Sequence, residues 1–62
     1  MLNYFDIQAI IYNHSPKEAS DILKAYKDLF ATITQCSTGI LYRTKDNTRV
    51  MVHKSNDIIE VN

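Results

Sequence analysis

A chain of 62 residues with a single cysteine, Cys36, cannot staple itself. No internal disulfide is possible, and a zinc site built on two or four cysteines cannot form within one copy. A domain of about 60 residues buries only roughly 60 % of the surface its unfolded chain exposes. Chains this small often need a disulfide, a metal or a partner subunit. With the first gone and no ligand set for the second, self-association is the expected source of extra stability. A lone thiol suits a reducing compartment. Met1–Tyr12 has no basic leader and carries Asp6 and Gln8 inside its apolar stretch, unlike a signal peptide. The longest uninterrupted apolar run is Ala9–Tyr12, far below the roughly 18 residues of a membrane span. The expectation is one cytoplasmic domain over residues 1–62 with no membrane partner.

The strongest local signal is Ser15-Pro16-Lys17-Glu18. It reads as a capping box, with Ser15 at the N-cap, Pro16 at the first helical position and Glu18 reaching back to the Ser15 N–H. Ala19, Ile22, Leu23, Tyr26, Leu29, Phe30 and Ile33 then recur at helical spacing, which predicts one amphipathic helix ending near Thr34 or Gln35. Lys17, Ser20, Asp21, Lys24, Lys27 and Asp28 fill its other side as a solvated, mixed-sign surface.

Upstream, Leu2–Tyr12 alternates and predicts a strand. Phe5, Ile7, Ala9 and Ile11 would face the helix; Leu2, Tyr4, Asp6, Gln8, Ile10 and Tyr12 would face away. Downstream, Gly39–Thr44 and Thr48–His53 predict a hairpin around Lys45-Asp46-Asn47. A three-residue loop with Asn47 in the left-handed conformation pairs Thr44 with Thr48 and Tyr42 with Val50. It sends Ile40, Tyr42, Val50 and Val52 to one face. Leu41, Arg43, Arg49, Met51 and His53 go to the other. A two-residue loop would mix the faces, so the first register is preferred. Lys54–Asp57 is a turn, and Ile58–Val61 a short last strand. The expected fold class is α+β: a single domain in the order β-α-β-β-β, one amphipathic helix packed on one face of a small mixed sheet. The first two strands would be parallel, joined by a right-handed crossover.

The formal charge is zero, seven basic against seven acidic residues, which argues against gripping nucleic acid by bulk charge. Residues 43–54 nevertheless hold Arg43, Lys45, Arg49 and Lys54 against Asp46 alone. This local basic segment is the candidate partner-binding surface, with His53.

One helix covers one sheet face. The bare face would hold Tyr4, Ile10, Tyr12, Leu41 and Met51, several hundred Å² of apolar surface, the size of an interaction site. These five residues are the candidate self-association set, and a symmetric pair is the commonest closed arrangement.

Catalytic and ligand chemistry finds little footing. Cys36 needs a base to act as a nucleophile. His14 would sit at the far end of a helix roughly 30 Å long, and His53 would meet Cys36 only by chance. Asp6, Asp21, Asp28 and Asp46 read as solvated charges. One glycine, Gly39, excludes a glycine-rich phosphate loop. No catalytic residue, cofactor or metal site is assigned.

The resulting expectation is a non-enzymatic protein-binding module acting as a homodimer or higher homo-oligomer, its partners being itself and a target protein. Bacteriophage-encoded inhibitors of host or defence proteins share this size class. The alternative is a nucleic-acid-binding regulator using the Arg43–Lys54 hairpin, since single-strand binders combine basic grooves with aromatic stacking.

Overall fold

A computed structural model describes residues 2–62. Helices α1 (Tyr4–Asn13) and α2 (Pro16–Ala25) lead into a 3₁₀ turn (Lys27–Leu29). Strands β1 (Thr32–Gln35), β2 (Gly39–Arg43), β3 (Arg49–His53) and β4 (Ile59–Val61) follow. They form one sheet in the order β1-β2-β3-β4, every neighbour antiparallel. The fold is α+β, as expected. The element order is α-α-β-β-β-β rather than β-α-β-β-β, and the sheet is a meander with no parallel pair or crossover.

Residues 2–12 account for the first correction. The expected strand is α1. Asn3 caps it: its side-chain oxygen accepts from the Asp6 N–H (3.0 Å), while the Asp6 carboxylate accepts from the Asn3 N–H (3.1 Å). Ile7, Ile10 and Ile11 then fall on one helical side and pack into the core. The alternation read as a strand also contains this three-four spacing, and a short apolar run alone cannot separate the two periods. Phe5 and Ala9, expected to face inward, point out to solvent.

α2 begins as its sequence dictates. The Ser15 oxygen accepts from the Glu18 N–H (3.3 Å), the Glu18 carboxylate accepts from the Ser15 N–H (3.1 Å), and Pro16 takes the first turn. It ends earlier than expected. The Tyr26 N–H donates to the Ile22 and Leu23 carbonyls (3.1 and 3.2 Å), and the chain leaves the helix there. Thr32, Ile33 and Thr34 are β-branched, stiff at χ1 and suited to a pleated surface. They form β1, opposite Arg43, Tyr42 and Leu41. The apolar spacing through Leu29, Phe30 and Ile33 therefore spans a 3₁₀ turn, a connector and a strand instead of one helix.

The central hairpin follows its expected register. Tyr42 lies opposite Val50, the Thr44 N–H donates to the Thr48 carbonyl (2.9 Å), and Asn47 has φ 67°. The second turn also forms, with Asn56 at φ 61°, and the last strand starts one residue later than expected, at Ile59. Gly39 has a close-approach role. A Cβ there would sit 2.1 Å from the Val52 carbonyl oxygen, so only glycine lets β2 and β3 meet at this point.

Leu2, Ile7, Leu23, Phe30, Tyr42, Val50 and Val52 form the core, with Ile40, Ile59 and Val61 packed against it. Both helices therefore cover the same sheet face. The Phe30 and Tyr42 rings meet at 4.9 Å. Ser20, expected on the solvated side of α2, is fully buried. Its hydroxyl donates to the Asn56 side-chain oxygen (3.1 Å), tying α2 to the β3–β4 turn.

Candidate functional site

Three surfaces stand out, the last two adjoining at His53. The first is the outer side of α1. Residues 5, 9 and 12 recur at the spacing of one helical stripe. There Phe5 is 78 % exposed and Tyr12 83 %, with Ala9 exposed between them. Tyr4 is 43 % exposed and meets the Phe5 ring edge-on, centroids 5.7 Å apart. A helix apolar all round is ordinarily buried all round. α1 buries one side and leaves an aromatic stripe bare. Its only charged residue is Asp6, whose carboxylate serves the cap.

The second surface is the sheet face that neither helix covers. Strand alternation and register place Leu41, Met51, Thr34 and Glu60 in one row across it, and Thr32, Arg43 and Arg49 in the next. Leu41 and Met51 are half-buried among these polar neighbours. His53 lies farther along β3, its Nε2 3.0 Å from the Glu60 carboxylate. The expected apolar face is thus a small apolar pair in a polar surround. Of the five residues assigned to it, only Leu41 and Met51 belong to the sheet. Tyr4 and Tyr12 lie on exposed parts of α1, and Ile10 is half-buried against the core.

The third is a cleft of about 210 Å³ near the β1–β2 and β3–β4 turns. Lys24, Cys36, His53, Lys54 and Asn56 line it over a floor of Ile40 and Val52. The topology thus brings Cys36 and His53 to one cleft. Pairing of Gly39 with His53 sets the end of β3 beside the β1–β2 turn, so a meeting expected only by chance follows from the sheet order. His53 is directed to Glu60, and the Cys36 thiol contacts the Thr34 carbonyl oxygen at 3.8 Å. No hydrogen bond joins the two side chains. No cluster of three or more metal-ligating side chains occurs among the described residues.

The basic residues assigned to partner binding do not form one patch. Arg43 and Arg49 face each other across β2 and β3, Lys45 is at the hairpin tip, and Lys54 lies at the opposite end beside the cleft. Sequence reasoning missed two residues. Phe5, expected inward, lies outward because the Asn3–Asp6 cap, legible in the sequence, starts a helix there. Asp46 was read as solvated charge, yet it is a hub. Its carboxylate accepts from the Thr44 and Thr48 hydroxyls, and from the Tyr4 N–H at the start of α1 (3.1 Å). These bonds, the Thr44 hydroxyl first and the Tyr4 N–H next, hold its carboxyl down at about 2.

No helix among the described residues is long and apolar enough to cross a membrane. Comparison of the chain with family models, with curated proteins and with solved structures finds no significant match to any of them.

Proposed function

We propose that this protein is a non-enzymatic protein-binding module that works as a homodimer, with α1 as its self-association surface. One observation carries the reading: the stripe Phe5, Ala9, Tyr12, flanked by Tyr4, is aromatic, contiguous and uncharged. At roughly 150–250 Å² per aromatic side chain, Phe5 and Tyr12 alone leave on the order of 300 Å² bare. With Tyr4 and Ala9, two copies would bury on the order of 1,000 Å², the lower limit for a specific interface. Interface cores are depleted in charge, and a second copy brings no like charge to this stripe. A dimer formed through α1 leaves the opposite sheet face and the 43–54 hairpin free to block or bridge a target protein.

Sedimentation velocity tests the reading. The wild-type chain should dimerise at micromolar concentration. Phe5→Asp with Tyr12→Asp should give a folded monomer, because both side chains lie outside the core. Met51→Gln, on the uncovered sheet face, should leave the dimer intact. A wild-type chain that stays monomeric at several hundred micromolar would overturn the proposal.

A further inference from the structure

We propose that Arg43 and Arg49 form a clamp for one phosphate group on the sheet face that the helices leave open. The two residues are direct partners across β2 and β3. The Arg49 N–H donates to the Asn62 carbonyl and its own carbonyl accepts from the Asn62 N–H, so its ladder bonds go to the β4 side. Arg43 and Arg49 are therefore a non-hydrogen-bonded pair, the kind in which Cα atoms stand about 4.5 Å apart and side chains lie closest.

Like charges directly opposite each other destabilise a sheet. Neither arginine makes an ion pair among the described residues, and Glu60 in the neighbouring row is engaged by His53. The only ion pair there is His53 with Glu60, and no carboxylate lies within 4.0 Å of either guanidinium. Arg43 is instead held by neutral acceptors: its Nε donates to the Thr32 hydroxyl oxygen (3.2 Å) and an Nη to the Asn47 side-chain oxygen (3.3 Å). These bonds fix the guanidinium and leave its other N–H groups free. Arg49 is exposed, and its side chain makes no ion pair among the described residues.

Two guanidinium groups on adjacent strands, one held by two hydrogen bonds and one exposed, can close on a tetrahedral oxyanion from both sides. Planar N–H forks match phosphate oxygens bidentately, and each such bond is charge-assisted. Leu41 and Met51 lie half-buried in the next row, along one flank of the clamp. That apolar pair also provides a surface for the organic part of a phosphoester. The inference is independent of the dimer, because α1 covers the other face of the sheet.

Titration with inorganic phosphate against sodium chloride of matched ionic strength tests it. Phosphate should shift the Arg43 and Arg49 Nε–Hε resonances saturably and raise the melting temperature more than chloride does. Arg49→Gln should weaken the phosphate response at least tenfold. In phosphate-free, low-salt buffer it should melt at or above the wild-type temperature, because it removes the repulsion. The Phe5→Asp, Tyr12→Asp chain should keep the full phosphate response, which separates this inference from the dimer. A short single-stranded oligonucleotide binding more than tenfold tighter than phosphate would locate the group in a nucleic-acid backbone. Equal affinity would locate it in a small phosphoester or free phosphate. A response no larger than that to chloride, an unchanged response in Arg49→Gln, or a lower melting temperature for Arg49→Gln without phosphate would overturn the clamp.

Discussion

Asp46, an exposed side chain, ties the central hairpin to the start of α1. One carboxylate accepts from both threonine hydroxyls of the hairpin loop, from the Thr48 N–H and from the first N–H of α1, 42 residues away in sequence. An anion at a helix N-terminus satisfies an orphan donor and opposes the helix dipole favourably. Because the folded-state value, about 2, lies below the ordinary 3.8, Asp46 stabilises the fold fully above pH 3.8. That contribution is lost as pH falls toward 2. Asp46→Ala should therefore melt below wild type at pH 7, and the gap between the two melting temperatures should narrow as pH falls from 3.8 through 2. Glu18 is also held below its usual range, chiefly by the Ser15 N–H, but it is common to both chains and cancels. A constant gap between the two chains from pH 7 to pH 2 would refute this role. The sequence marks Asp46 as a turn residue. Its bond to α1 was not legible, because it depends on where a helix begins 42 residues earlier.

At the scale of elements, legibility followed the strength of the local chemistry. The Ser15–Glu18 box and the Asn47 turn each specify backbone geometry within a few residues, and both formed as read. The segments 2–12 and 26–35 carry apolar residues at spacings that suit more than one period. Tertiary pairing decided them. β1 is stable only because Gly39–Arg43 lies beside it, and α1 because Ile7, Ile10 and Ile11 find the sheet. β1 is an exposed, uncharged edge strand of four residues, and its shortness limits further pairing. β2 has its own weak point. Gly39→Ala would drive a Cβ into the Val52 carbonyl, and backbone cannot rotate away. The expected loss is about 1–3 kcal/mol, the usual range for overpacking, read from urea unfolding. An unchanged midpoint would show that the strands separate there without strain.

At the scale of the molecule, two helices rather than the single one expected from sequence cover one sheet face. They also relocate the apolar surplus. The uncovered sheet face is largely polar around Leu41 and Met51, while the aromatic surplus sits on α1. On the reading proposed above, a second copy would cover α1 rather than the open sheet face. Folding linked to association makes stability depend on protein concentration. The melting temperature should rise with concentration for the wild-type chain and stay constant for the Phe5→Asp, Tyr12→Asp chain. A concentration-independent wild-type melting temperature would separate folding from dimer formation.

What the residues settled alone was whatever a few neighbouring atoms can enforce: the start of α2, the hairpin register with Tyr42 inward and Arg43 outward, the turn at Asn56, and the α+β class. What required the folded molecule was every choice between competing periods. An isolated helix of about ten residues is marginal in water, and an isolated strand pair is no better. Residues 2–12 and 26–35 therefore took the conformation that their packing partners stabilised, and those partners lie elsewhere in the chain.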